Sequence, residues 1–150
     1  MDVVPCGAGA AIVRSLVSGG MSHHRDPVTA PGAPDAVGPY SHAVRSGGLL
    51  FCSGQTPLDP ATGKLVEGSI GDETRRCLEN LQLVCAAAGA ELSDAVRLGV
   101  YVTDMGTFPE VNKAYATFFG DGPPARSTIG VASLPLGARV EIDAIVALPT

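Results

Sequence analysis

The stretch DETRRCLENLQLVCAAAGAELSDAVRLGVYVT, residues 72–103, decides the fold class because a helix pattern is followed directly by a strand pattern. Apolar side chains recur at steps of three and four residues, which predicts a helix over residues 72–88 with one buried face. Gly89 ends this helix, since the left-handed conformation of a helix end costs glycine least. The alternation that follows predicts a strand over residues 95–103, with Val96, Leu98, Val100 and Val102 on one face.

A hairpin pattern precedes this stretch. Two short apolar runs at residues 40–45 and 49–53 flank the turn sequence SGG, which predicts two antiparallel strands. A second helix is predicted downstream over residues 108–119. Thr107 and Glu110 have the spacing of a capping box at its start, and Pro109 falls in the first turn, where its missing N–H costs nothing.

The last two predicted strands cover residues 126–131 and 139–147. Alternation in the final strand puts Glu141 and Asp143 together on the face opposite its apolar residues. The element order is then ββ-α-β-α-ββ, which predicts a single α+β domain with a mixed sheet and two helices on one face. The other face of the sheet needs a cover, and further copies of the chain supply it most simply.

Residues 1–35 differ in composition from the rest, and we interpret them as a disordered extension that precedes a folded domain at residues 36–150. The first twenty residues lack the charged start of a signal peptide and are poor in arginine for a mitochondrial presequence. Translation from Met21 is the preferred explanation of this segment.

Composition excludes several classes of protein. The 150 residues carry a net charge of −5, with 15 acidic and 10 basic residues, so no basic footprint for nucleic acid is present. No apolar run approaches the roughly 18 residues that a membrane span requires. The four cysteines form no CxxC pair and no zinc-ligand pattern, which favours reduced thiols in a cytoplasmic protein.

Candidate chemistry centres on two places. Arg126 opens a strand directly after a glycine- and proline-rich turn, and its planar fork of donors suits a carboxylate. Glu141 and Asp143 are candidates for acid–base chemistry, although paired carboxylates of this kind also occur as ion-pair partners at interfaces. If the last two strands pair as a hairpin, Arg126 and Glu141 lie on adjacent strands.

Six short motifs occur in order along the chain: GPY at 38–40, SGQ at 53–55, PATG at 60–63, a D-x-x-x-F-x-x-x-N segment at 104–112, PARS at 124–127 and VEIDA at 140–144. Together they resemble the RidA (YjgF-type) family of reactive intermediate deaminases from about residue 34 to residue 148. The resemblance implies a chorismate-mutase-like α+β fold and a homotrimer with its sites in clefts between subunits. It also implies hydrolysis of enamines and imines, chiefly 2-aminoacrylate and 2-iminopropionate, to a keto acid and ammonia, without a metal or organic cofactor.

The resemblance further implies roles for individual residues. Arg126 holds the substrate carboxylate, and Glu141 orients or activates the attacking water. Thr128 falls where several family members carry cysteine, so a thiol is lost but a small hydrogen-bonding group is kept. The other implied substrate-binding residues are Tyr40, Ser53, Gly54 and Asn112.

Other functions compatible with this pattern are a ribonuclease or translation inhibitor, a non-catalytic trimer that binds small carboxylates, and a deaminase of another imine. The acidic net charge argues against a nucleic-acid groove. Glu141 argues against a pure carboxylate binder, since a second carboxylate beside the ligand repels it. Spacing alone leaves open whether Arg126 and Glu141 act within one subunit or across two.

Overall fold

The computed structural model describes residues 24–150, which form one six-stranded sheet and two α-helices. The helices are α1 (Ile70–Ala87) and α2 (Phe108–Ala116). The strands are β1 (Asp26–Val28), β2 (Ala43–Ser46), β3 (Leu49–Gln55), β4 (Ala95–Val102), β5 (Ala125–Gly130) and β6 (Val140–Ala147). Their order across the sheet is β1-β2-β3-β6-β4-β5, and only the β4–β5 pair is parallel. The prediction of an α+β domain with a mixed sheet is confirmed.

The core lies between the helices and one face of the sheet. Helix α1 buries the face predicted from its periodicity, including Leu78, Leu81 and Val84. The strands contribute alternate residues, with Val140, Ile142, Ala144 and Val146 of β6 buried and the intervening residues only half-buried. Each fully buried aliphatic side chain of this kind contributes roughly 1.5–3 kcal/mol, so this layer holds helices and sheet together.

Helix α1 ends as predicted. Gly89 has φ +75°, its N–H donates to the Ala86 carbonyl, and the N–H of Ala90 donates to the Cys85 carbonyl. These two hydrogen bonds form a Schellman motif, which satisfies carbonyls that the helix leaves without partners. Gly89 therefore directs the chain back toward β4.

The N-terminal boundary differs from the prediction. Strand β1 pairs with β2, and Ala30 and Ala33 are buried in the core. The buried His42 ring holds this segment, because its Nδ1 accepts from the Ala30 N–H at 3.0 Å and its Nε2 donates to the Pro34 carbonyl at 2.9 Å. The disorder predicted for residues 1–35 is therefore wrong for residues 26–35, whereas the predictions for residues 1–23, including a start at Met21, lie outside the described residues.

The capping box predicted before α2 is absent. Thr107 has helical backbone angles, its hydroxyl donates to the Asp104 carbonyl, and it makes no side-chain cap. Glu110 instead accepts the Gly71 N–H at 3.3 Å, so α2 is tied to the start of α1. A capping box forms before α1, where Ser69 and Asp72 satisfy each other's backbone N–H groups.

Several details differ from the prediction. Strand β2 begins at Ala43 rather than at residue 40, and α1 begins at Ile70 rather than at residue 72. Helix α2 ends at Ala116 rather than at residue 119. The register of β4 shifts between Ala95 and Arg97, which leaves Val96 50% exposed instead of buried with Leu98. Within residues 24–150, no helix is long and apolar enough to span a bilayer.

Candidate active site in two halves

The sheet order separates the two principal candidate residues. Strand β4 lies between β5 and β6, so the hairpin that would make Arg126 and Glu141 neighbours does not form. Arg126 is in register with the buried Leu98 of a parallel neighbour, and side chains in register lie on the same face. Glu141 is in register with Tyr101, on the other face. Arg126 therefore faces the helices, whereas Glu141 lies on the face that the helices leave open.

Glu141 lies in a cavity of about 460 Å³ at the end of β3. Four of the predicted site residues come together here, because Tyr40, Ser53 and Gly54 line the same cavity as Glu141. The Ser53 hydroxyl donates to the Ser41 carbonyl at 2.7 Å and ties the end of β3 to the segment that carries Tyr40. Sequence reasoning missed the remaining lining residues, Val37, Thr56 and Pro135.

Gly54 makes room for the Glu141 side chain. A Cβ at this position would lie 2.9 Å from Cδ of Glu141 and in still closer conflict with Oε1. The register between β3 and β6 shifts between Cys52 and Gln55, so Gly54 occupies the irregular part of the pairing. Glycine in a strand commonly marks such a close approach, and here it allows the carboxylate to lie over the backbone.

The two carboxylates of β6 are in different states. Asp143 accepts the Gly99 N–H at 3.0 Å and the Tyr101 hydroxyl at 3.1 Å, and this second hydrogen bond raises the pKa of Tyr101. Glu141 accepts no hydrogen bond from residues 24–150, and partial burial, followed by the charge of Asp143, raises its pKa. Glu141 is thus the carboxylate available to a water molecule or ligand.

Arg126 lines a separate cavity of about 360 Å³ between β5 and α2. Its Nη2 donates to Oδ1 of Asn112 at 2.7 Å, so these two predicted residues are also brought together. The guanidinium carbon lies 4.6 Å from the ring centroid of Tyr115 and 5.6 Å from that of Phe108. Thr128 lies on the same face of β5, and its buried hydroxyl has no hydrogen-bond partner among the described residues.

Sequence reasoning gave Phe108 and Tyr115 no role in the site. Their spacing of four and three residues from Asn112 puts all three on one stripe of α2, which is the signal that could have identified them. Asn80 was also missed, although a polar residue within the apolar stripe of α1 is conspicuous. Its side chain is fully buried and donates to the carbonyls of Thr56 and Leu58, which fixes one wall of the Glu141 cavity.

No metal site is formed within the described part of the chain, where no group of three or more histidine, cysteine, aspartate or glutamate side chains is placed to hold an ion. The cysteines at 52, 77 and 85 are buried and unpaired. Burial raises the pKa of the Cys77 thiol well above its usual range, as expected for a core thiol.

Comparison with known proteins places the chain in one family. The family model Ribonuc_L-PSP, described as endoribonuclease L-PSP, matches residues 31–148. The 2-iminobutanoate/2-iminopropanoate deaminase of Mus musculus is 44% identical over 113 residues, which cover 75% of this chain and 84% of the mouse protein. The chain belongs to this family, the Rid proteins.

Solved structures agree with this assignment. The Rid-family protein YyfA of Yersinia pestis superposes with a TM-score of 0.80 at 39% identity. The match covers 83% of this chain and 100% of YyfA. The structure of E. coli TdcF with bound serine has a TM-score of 0.78 at 35% identity and covers 83% and 99% of the two chains. The RidA-type fold implied by the six sequence motifs is confirmed.

Proposed function

We propose that this protein is a cytoplasmic hydrolase that deaminates small, amino-acid-derived enamines and imines, converting 2-aminoacrylate and 2-iminopropionate to pyruvate and ammonia. The observation that carries the proposal is a free carboxylate, Glu141, and a firmly held guanidinium, Arg126, at the two halves of a divided site. Relatives named as 2-iminobutanoate/2-iminopropanoate deaminases, 40% and 44% identical, support the reaction class.

The division of the site calls for more than one copy of the chain. Arg126 and Glu141 lie on opposite faces of one sheet, so a substrate of a few atoms cannot reach both within a single chain. The open face exposes Phe51 and Ile129 by 43% and 48%, and an apolar surface of this kind favours a protein partner. We infer a homotrimer in which the Glu141 cavity of one copy meets the Arg126 cavity of the next.

Arg126 is the binding group in this proposal. With one nitrogen bonded to Asn112, the guanidinium keeps further N–H donors for both oxygens of a carboxylate. The serine bound to the related E. coli TdcF carries such a carboxylate. The unpaired hydroxyl of Thr128 adds a small hydrogen-bonding group two residues along the strand.

Glu141 is the general base and general acid of the proposed reaction. The carboxylate takes a proton from water as the water oxygen bonds to the protonated imine carbon, and it then passes that proton to the nitrogen. The C–N bond breaks with its electron pair going to nitrogen, and the remaining hydroxyl proton leaves with the ammonia as ammonium. One protonated imine and one water thus yield one keto acid and one ammonium ion. Tyr40, Ser53 and Gly54 line the space in which the water and the imine carbon meet. Because the protonated imine is already electrophilic, positioning and charge stabilisation are sufficient catalysis.

The test is a coupled assay in which a serine or cysteine lyase generates 2-aminoacrylate and pyruvate release is followed. The wild-type protein should accelerate release, and Arg126→Ala should abolish the acceleration, with a loss of at least about 100-fold, while the oligomer stays folded. A folded oligomer that binds pyruvate but leaves release unchanged would support a non-catalytic carboxylate binder. Cleavage of RNA without imine hydrolysis would support the ribonuclease alternative instead.

Mixing two inactive variants tests the division of the site. Arg126→Ala subunits and Glu141→Gln subunits, refolded together in equal amounts, each supply the residue that the other lacks. Random assembly into trimers restores both native residues at roughly one quarter of the interfaces. Recovery of that share of activity supports sites between copies, whereas no recovery in a verified mixed trimer would place both residues in one subunit's site.

A further inference from the structure

Three side chains of α2 contact the single guanidinium of Arg126. Phe108, Asn112 and Tyr115 are separated by four and three residues, so they lie on one stripe of the helix. Asn112 accepts a hydrogen bond from Nη2, and the two rings lie within the range of a cation–π contact. The hydrogen bond anchors one nitrogen, and the two rings lie close enough to the guanidinium plane to restrict its rotation about that anchor.

The orientation of that plane matters for a carboxylate ligand. Two parallel N–H···O bonds form only when the guanidinium and the carboxylate are nearly coplanar. An arginine that is already held in the required orientation also loses less conformational entropy when the ligand binds. Arg126 lies on the edge strand β5, where the sheet itself offers its side chain no neighbour beyond β4. The contacts from α2 therefore hold the Arg126 side chain in place, as side chains of two neighbouring strands do for a residue on a central strand.

Tyr115 makes the closer and more buried of the two ring contacts. Its centroid is 1 Å closer to the guanidinium carbon than that of Phe108, and its side chain is 6% exposed whereas Phe108 is half-buried. Its ring also packs against Phe119 at 4.8 Å between centroids, which fixes the ring in place. The Tyr115 hydroxyl is buried without a partner among the described residues, and burial raises its pKa, so the ring stays a neutral phenol.

We propose that Tyr115, assisted by Phe108, is a positioning residue whose ring holds the Arg126 guanidinium in the plane that binds the substrate carboxylate. The inference rests on the proposed function in so far as that carboxylate belongs to an imine. The acting group is the face of the ring rather than the hydroxyl. Tyr115→Phe therefore keeps the function, whereas an aliphatic residue of similar bulk removes it.

The experiment measures pyruvate binding by titration calorimetry, which requires no turnover. Tyr115→Leu should weaken pyruvate binding by about tenfold, the scale of a partly desolvated cation–π contact, and Tyr115→Phe should stay within about twofold of wild type. In the coupled assay, KM should rise in Tyr115→Leu while kcat changes much less. Phe108→Leu should weaken binding less than Tyr115→Leu, and it serves as the test if Tyr115→Leu does not fold.

A second background separates positioning from general damage to the pocket. In Arg126→Lys the ammonium group is not planar, so a ring cannot orient it. Adding Tyr115→Leu to this variant should therefore weaken pyruvate binding by no more than about twofold. Unchanged binding in Tyr115→Leu, equal losses in Tyr115→Phe and Tyr115→Leu, or an undiminished loss in the lysine background would each overturn the proposal. A protein that binds pyruvate through Arg126 and Tyr115 but does not hydrolyse imines would contradict the proposed function and leave this inference standing.

Discussion

On the open face of the sheet, Glu141 lies in a cavity without a hydrogen bond from residues 24–150, whereas on the helix face Arg126 is held by three side chains of α2. The difference follows from what each group does in the proposed reaction. A base must be free to exchange a proton with water, so bonds that lock its carboxylate would lower its basicity. A binding group that is already held binds its ligand more tightly, because it loses less conformational entropy on binding.

Asp143 makes the contrast sharper. It belongs to the same face of β6 as Glu141, yet its oxygens are bonded to the Gly99 N–H and the Tyr101 hydroxyl. Two acidic residues of one strand thus have separate tasks, one structural and one available for chemistry. Their placement over two different glycines, Gly54 on β3 and Gly99 on β4, shows that they lean to opposite sides of β6.

The largest effect expected on the open-face half follows from Glu141→Gln. This change keeps the shape of the side chain and removes the base, so kcat for 2-iminopropionate should fall by about 100-fold or more. The Kd for pyruvate should stay the same or tighten, since a negative charge near the ligand is removed. Steady-state kinetics and calorimetry on one preparation provide both values, with the exposed Glu67→Gln as a matched control. Equal losses in kcat and affinity would instead assign Glu141 a structural role.

A smaller effect is expected from Gly54→Ala, which leaves Glu141 in the chain but displaces its carboxylate. The added methyl group conflicts with Oε1 and Cδ of Glu141. A displacement of a catalytic group by about 1 Å can lower the rate by up to about 100-fold. Because the Glu141 side chain can partly adapt, we expect kcat to fall by about tenfold. Gly32→Ala is the control, since its Cβ meets only Cδ2 of Leu83 at 3.8 Å. If Gly54→Ala is as active as Gly32→Ala, the position of the Glu141 carboxylate does not limit turnover.

The smallest effect concerns pH and comes from Asp143→Asn. Burial, followed by the charge of Asp143, raises the pKa of Glu141. As the pH falls, Glu141 is therefore protonated, and the base lost, at a higher pH than an ordinary carboxyl group would be. The amide of the variant would keep an acceptor for the Gly99 N–H but carry no charge, so the acid limb of kcat/KM should move to lower pH. The kcat/KM profile of wild type and variant measures this shift. An acid limb that stays in place would mean that burial alone sets the Glu141 pKa.

Much of the fold could be predicted because local patterns specify it. The buried face of α1, the glycine that ends it and the alternation of β6 depend on residues close together in sequence, and all three are confirmed. The spacing of Thr107 and Glu110 predicts a capping box that forms at Ser69 instead. The motif gives only the spacing of the residues, whereas a capping residue also needs an extended backbone, which Ser69 has and Thr107 lacks. Strand β1 was missed because three residues with a central proline carry almost no strand signal.

Part of the candidate site was predictable residue by residue, but its arrangement was not. The motifs identified Tyr40, Ser53, Gly54 and Glu141, which line one cavity, and Asn112 and Arg126, which line another. The order of strands is a long-range property, and the insertion of β4 between β5 and β6 cannot be read from either strand.

The sequence by itself determined which residues are candidates for chemistry and which family the chain resembles, because donors, acids and short motifs are properties of neighbouring residues. Only the tertiary structure decided that Arg126 and Glu141 lie on opposite faces of the sheet, that Glu141 rather than Asp143 is free, and that the Tyr115 ring contacts the guanidinium. The physical reason is that these facts depend on strand order, on the face each residue occupies and on contacts between elements distant in the chain.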